Sequence, residues 1–264
     1  MAPASNGAAR DLIGRYRHAR HDPTRAVLEG FHAVKHAIRF HADIEHACAL
    51  DQGALEELTR RLAPDVEPAL DKLVRFVPRS VFAELAPSPP ETGIIAIARR
   101  PSVDLVAVLD RPGVAPVVLL EQPAHLGNLG AVVRVAAAAG AAAVVTTGSQ
   151  DPWHPTALRG SAGLHFALPV ARMEAVPIGG NRTLIALHPD GELLRPGMLP
   201  DDALLAFGSE RRGLSGTVLA TAGRQIALPM RPGVSSLNLA SAVAAVLYAW
   251  RLGRDGRDLR AAPD

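Results

Sequence analysis

The chain has 264 residues, 48% of them apolar, and its 28 basic and 26 acidic side chains leave a formal net charge of +2. That length allows one large domain or two small ones, and the apolar content excludes global disorder. No stretch is long and apolar enough to span a membrane. The nearest, AVVRVAAAAGAAAVV, carries Arg134 and Gly140 inside it.

Cys48 is the only cysteine, which rules out an internal disulfide and a multi-cysteine zinc site and fits a reducing cytoplasm. The opening MAPASNGAARDL lacks the apolar core of a signal peptide. Lys35 and Lys72 are the only lysines, so nearly all positive charge is arginine. Codon bias accounts for that, although guanidinium groups also suit phosphate recognition. With charge nearly balanced, a nucleic-acid surface has to be local. The first forty residues are the best candidate, with Arg10, Arg15, Arg17, Arg20, Arg25, Lys35 and Arg39. His18, His21, His32 and His36 lie among them without a matching carboxylate or cysteine set, so they do not read as metal ligands.

In chain order, RAVLEG reads as a strand ended by Gly30, and FHAVKHAIRF as a helix with Phe31, Val34 and Ile38 on one face. IEHACAL is a strand, DQGALEELTRRL a helix capped near Asp51, LVRFV a strand, RSVFAELA a short helix and TGIIAIAR a last strand. Together they make a small α/β domain. The proline- and charge-bearing RRPSVDLVAVLDRPGVA, residues 99–115, reads as a linker.

A more regular alternation follows. PVVLLE is a buried strand, HLGNLGAVVRVAAAAG a turn and helix stopped by Gly140, and AAAVVTT a strand. HPTALRGSAG opens a helix or turn, TLIALHP, ALLAFGSE and RQIALPM are strands, and RPGVSSLNLASAVAAVLYAW is a turn running into a buried helix. Strand-helix-strand order implies a parallel sheet covered on both faces. Ligands of such sheets sit beyond the C-terminal strand ends, where four loops are expected to gather.

The first loop, EQPAHLGNLGAVVR, has Gly127 and Gly130 but no third glycine of a dinucleotide fingerprint, and there is no Walker A lysine. Asn128 can be a plain helix cap, while Arg134, set among Val and Ala, is expected to have a partner. The second loop offers Asp151, Arg159, Ser161 and Gly163, all compatible with ordinary turn chemistry. In the third, FGSERRGLS, Glu210 sits between two glycines. The fourth places Ser235, Ser236 and Asn238 at a helix N-terminus whose apolar stripe is Leu239, Val243, Val246, Leu247 and Trp250. That stripe serves either the chain's own core or a subunit contact. No Ser-His-Asp or Cys-His set and no helix-borne metal pair is present.

Three segments, HLGNLGAVVRVAAAAGAAAVV, LLAFGSERRGLS and IALPMRPGVSSLNLASAVA, resemble in order and spacing the three motifs of the SpoU/TrmH branch of the SPOUT RNA 2′-O-methyltransferases. DPWHPTALRGSAGLHFALPV resembles the stretch between the first two. RAVLEGFHAVKHAI and TGIIAIARR resemble, more loosely, the L30e-like substrate-binding domain of ribosomal-RNA members. The resemblance implies an α/β chain with two parts: an L30e-like RNA-binding domain over residues 10–99, and a parallel-sheet SPOUT domain with a trefoil knot over residues 112–253. It further implies a cytoplasmic homodimer that uses S-adenosylmethionine, releases S-adenosylhomocysteine, needs no metal and methylates a ribose 2′-hydroxyl.

Ribosomal RNA, 23S in particular, is the favoured substrate because of the extra domain. A transfer-RNA enzyme and a catalytically silent RNA-binding protein are the alternatives. Carried over by motif, Asn128, Arg134, Glu210, Ser236 and Asn238 would be catalytic. Gly208, Leu228, Leu237, Leu187 and Met230 would hold the cofactor. Arg15, Arg17, Arg20, Arg25, Lys35 and Arg159 would meet RNA. One departure is HLGN, where Leu126 replaces a frequent proline. Free arginine stays charged at ordinary pH, so Arg134 is expected to grip the neighbouring phosphate and orient the 2′-oxygen rather than act as a simple base.

Overall fold

The computed structural model describes residues 6–110, 113–177, 180–195 and 197–254; Pro112, the expected start of the second domain, lies outside them. In chain order the elements are α1 (Asn6–Ala19), β1 (Arg25–Glu29), α2 (Phe31–Arg39), β2 (Ile44–Ala49), α3 (Gln52–Leu62), α4 (Glu67–Leu73), β3 (Val74–Phe76), α5 (Arg79–Phe82) and β4 (Ile94–Arg99). Then come α6 (Leu105–Asp110), β5 (Val117–Leu120), α7 (Leu126–Ala139), β6 (Ala143–Thr146), α8 (Pro155–Gly160) and β7 (Val170–Arg172). The last are β8 (Thr183–Leu193), β9 (Ala203–Phe207), α9 (Gly216–Thr221), β10 (Arg224–Ala227) and α10 (Leu239–Gly253). The described residues form two compact units, one made of those within 1–102 and 153–167, the other of those within 103–152 and 168–264.

The first unit holds a four-stranded sheet in the order β1-β4-β2-β3. β4 runs antiparallel to β1 and β2, and β3 parallel to β2. One face is closed by α1, whose Ile13, Tyr16 and Ala19 pack with Val27, Cys48, Phe82, Leu85, Ile95 and Ile97. The Tyr16 hydroxyl donates to the Ile95 carbonyl at 3.2 Å, which satisfies the one polar atom that this aromatic side chain takes into the core. Gly30 has φ 93, a value that favours glycine, and it turns β1 directly into α2. The Asp51 carboxylate accepts from Ala54 N at 2.7 Å and starts α3 where the sequence places the cap.

The second unit is an all-parallel six-stranded sheet in the order β10-β8-β9-β5-β6-β7. Val117–Leu120 of β5 is buried at every position, as a central parallel strand covered on both faces has to be. α7 ends at Gly140, whose left-handed conformation (φ 75) lets its N–H return to the helix carbonyls. α7 packs beside α10, and Arg251 of α10 donates to the Ala139 carbonyl at 2.8 Å. No described helix is long and apolar enough to cross a membrane.

Four expectations change. α1, part of the basic opening, is an amphipathic helix whose apolar side belongs to the core. The expected linker contains α6, whose Leu109 is buried in the second unit's core. β7, three residues long, was too short to show a period. The loop after β6 divides: residues 148–152 stay in the second unit, where Gln150 Nε2 donates to the Ala124 carbonyl of the first loop at 3.5 Å, whereas Trp153–Ala167 belongs to the first unit. Gly163 explains why. A Cβ there would lie 2.4 Å from the Ala33 carbonyl oxygen, so this bare backbone is pressed against α2. Ser161 and His165 bond each other at 2.7 Å in the same buried packing.

Candidate active site

Beyond the C-terminal ends of β5, β9 and β10, and beside Leu187–Pro189 within β8, a cleft of about 660 Å³ opens in the second unit. This is where a parallel sheet presents its loops, and the volume suits a small ligand. Phe207, the last residue of β9, is followed by a hairpin-like loop in which Ser209 and Gly213 exchange both backbone hydrogen bonds, at 3.1 and 2.9 Å. Gly208 is obligatory there, since a Cβ would fall 2.0 Å from the Gly213 carbonyl carbon. The loop carries Glu210 outward and is braced from behind by buried Glu121, which accepts from Ser215 N at 2.7 Å.

Three polar side chains then join three distant loops. Glu210 accepts from Asn128 Nδ2 at 2.7 Å and from Ala124 N at 2.9 Å. Asn128 Oδ1 accepts from Asn238 Nδ2 at 3.1 Å. Asn238 caps α10, its Oδ1 accepting from Ala240 N at 2.9 Å. A carboxylate can only accept, so every amide in this relay has one permitted orientation. Partial burial works against ionisation of Glu210, but the bonds from Asn128 and Ala124 outweigh it and hold the carboxyl below its ordinary range.

Asn128, Glu210, Ser236 and Asn238 of the expected catalytic set line the cleft, as do all five expected cofactor residues, Leu187, Gly208, Leu228, Met230 and Leu237. Phe207, Ile226 and Leu239 add apolar wall, while Ser235, Ser236 and Leu237 form an exposed lip. His125 and His188 also line it, unanticipated although His125 stands in the first loop. Among the described residues that line it there is no lysine or arginine.

Arg134 departs from expectation. It is exposed, makes no hydrogen bond or ion pair among the described residues, and is not part of the cleft wall of its own chain. The reason is helical phase. Gly127, Arg134 and Ala138 are exposed on one face of α7, whereas Leu129, Val132, Val133 and Ala136 turn inward.

The expected RNA-binding residues divide in the same way. Arg20 and Arg159 both bind buried Glu29, at 2.8 and 2.7 Å. Arg25 is tied to Asp22 and, at 2.8 Å, to Glu45. Lys35 is half-buried on α2. Arg15 and Arg17 remain exposed on α1.

Residues 115–248 match the family model described as the SpoU rRNA Methylase family. A 23S rRNA (uridine(2479)-2′-O)-methyltransferase of Streptomyces viridochromogenes is 29% identical over 217 residues, 72% of this chain and 74% of that one. Two other curated relatives are 35% and 32% identical, and the chain spans about half of their length, 47% and 49%. Among solved structures, an RNA 2′-O ribose methyltransferase superposes with a TM-score of 0.71 at 27% identity over 94% of this chain and 96% of that one. A Streptomyces viridochromogenes methyltransferase in complex with AdoMet has a TM-score of 0.73 at 22% identity, covering 94% and 98%.

Proposed function

Since this chain belongs to the SpoU rRNA Methylase family, we propose that it is an S-adenosylmethionine-dependent methyltransferase acting on a ribose 2′-hydroxyl of ribosomal RNA, 23S RNA in particular. One observation carries the cofactor assignment. The cleft is walled by apolar side chains and bare backbone, holds a carboxylate, and has no lysine or arginine among the described residues that line it. A phosphate-bearing cofactor would find no side-chain cation there. A sulfonium-bearing nucleoside finds apolar contact for its base, backbone groups for its ribose and no like charge.

When bound, S-adenosylmethionine supplies an electrophilic methyl group. The chain's own residues have the remaining tasks. Glu210, Asn128 and Asn238 fix the three loops against one another, so that the cleft is ordered before ligand arrives. The exposed Ser235–Leu237 lip is placed to close over the cofactor and admit the ribose.

Arg134 grips the phosphate next to the target ribose and orients the 2′-oxygen, and the hydroxyl proton is passed by way of that phosphate to solvent. Bidentate guanidinium geometry suits this task. Because Arg134 is exposed away from its own cleft, the reading requires that it serve the cleft of a second copy, in a homodimer. The free face of α7 and the exposed Tyr248 and Leu252 of α10 support such a pairing. A trefoil return of the chain, in which the β10–α10 segment passes through an earlier loop, belongs to the same proposal. The first unit serves as the RNA-docking module.

The test is titration calorimetry with S-adenosylmethionine, followed by labelled-methyl incorporation into protein-free 23S ribosomal RNA. Binding and alkali-stable 2′-O-methyl label are expected. Absence of cofactor binding, or label on a base, overturns the proposal.

A further inference from the structure

The first unit carries a basic cluster that the cleft does not use. His46 lies on β2, Arg75 on the edge strand β3 and Arg15 on α1. The register places Arg75 opposite Cys48. Cys48 is packed against α1 with Tyr16, and His46 precedes it by two residues, hence on the same face. The three side chains therefore lie on the α1 face of the sheet, and Arg75, whose Nη1 donates to the Lys72 and Val74 carbonyls at 3.4 Å, is near enough for its charge to act on His46.

An Arg15 guanidinium N–H donates to His46 Nε2. That nitrogen can accept only while the imidazole is neutral. Burial, then Arg15 and Arg75, hold His46 below the ordinary histidine range. Glu45 is the acid facing it, and that carboxylate is already held by Arg25 at 2.8 Å and Arg99 at 3.0 Å. Among the described residues no carboxylate pairs with Arg15, His46 or Arg75, unlike Arg20, Arg25 and Arg159, which bind internal carboxylates.

We propose that Arg15, His46 and Arg75 form a seat for a backbone phosphate of RNA, and that the phosphate is bound together with a proton taken up by His46. The inference rests on the reading of the chain as an RNA enzyme. An oxygen of the phosphate takes over the Arg15 N–H, freeing Nε2. The freed nitrogen is then protonated from solvent and donates to a second oxygen. Arg75 screens the anion from the open edge.

The sign follows from linkage. His46 is neutral in the free chain and charged in the complex, so its pKa rises on binding. Affinity increases as pH falls from the bound-state value towards the free-state value, and levels off below it.

The test uses the full-length chain and protein-free 23S ribosomal RNA in filter binding at pH 6 and pH 8, over a salt series. Wild type is expected to bind about 10-fold more tightly at the lower pH. His46→Gln keeps an acceptor for Arg15 but cannot gain charge, so the difference should fall to about 2-fold or less. Arg75→Met should weaken binding at both pH values and reduce the slope of log affinity against log salt by about 1. Circular dichroism confirms that each variant is folded. Arg60→Ala, on α3 and paired with Glu57, serves as an unrelated control of equal charge change to Arg75→Met. A pH difference that His46→Gln retains, or an Arg75→Met slope matching that of Arg60→Ala, overturns the seat while leaving the RNA enzyme intact. Failure of wild type to bind or methylate the RNA at either pH overturns both.

Discussion

Glu210 uses both carboxylate oxygens to hold the first loop, through Asn128 and through the backbone at Ala124. An amide in its place can keep only one of those two bonds as an acceptor. Glu210→Gln is predicted to weaken S-adenosylmethionine binding by about 1–3 kcal/mol, the cost of an unsatisfied donor, read by calorimetry. The carboxyl lies below its ordinary range, so the bonded form is the ionised one. Its contribution is complete above the unfolded-state value and is lost as pH falls through the folded one. Cofactor affinity should therefore be flat around neutrality and decline only in acid, and Glu210→Gln should abolish that acid decline. An identical acid limb in the variant would assign it to another group.

Arg134 is tested separately. Arg134→Lys keeps the charge but removes the fork, and is predicted to lower kcat by about 100-fold with cofactor affinity unchanged. Near-wild-type turnover would show that fork geometry is immaterial.

The elements show what could be read in advance. β5, β6 and β9 are continuous apolar runs, and Gly140 and Asp51 are explicit stop and start signals, so these were legible. α1 was obscured because its arginines drew attention from Ile13, Tyr16 and Ala19, which carry its packing. The three-residue β7 exists only because β6 offers an edge to pair with.

In the cleft, the motif residues were legible. Helical phase alone would have placed Arg134 on α7's outer face, but the Val/Ala run suggested a partner for it within the chain. The second loop was misplaced because its destination depends on contact with α2, 126 residues away at His36 and Ala162, which no local pattern records.

Two glycines separate these roles. Gly208→Ala pushes a methyl into the Gly213 backbone and is predicted to abolish measurable cofactor binding while lowering the melting temperature little. Gly163→Ala meets both the Ala33 backbone and a φ of 80. It should destabilise the first unit by about 2–3 kcal/mol, measured by denaturant unfolding, and leave cofactor affinity within about 2-fold. A reversed pattern would mean that the two loops had been assigned to the wrong units.

At the scale of the whole molecule, the proposal needs two copies. Asn128, Glu210 and Asn238 complete one cleft within a single chain, whereas Arg134 stands on an outer face. Co-expressed Arg134→Ala and Asn238→Ala chains, each nearly inactive alone, should regain about a quarter of wild-type activity in a random mixture, because one mixed-dimer cleft keeps both groups. No complementation would place Arg134 at the cleft of its own chain, through a movement of α7.

The central claim is that this cleft directs a methyl group onto a ribose oxygen of ribosomal RNA. Its most direct test is nucleotide-resolution mapping of alkali-resistant positions in protein-free 23S RNA, incubated with the chain and S-adenosylmethionine. One new 2′-O-methylated nucleotide is predicted, absent when S-adenosylmethionine is left out. Cofactor bound but no resistant position formed, the result expected of an RNA-binding protein without catalysis, would contradict it.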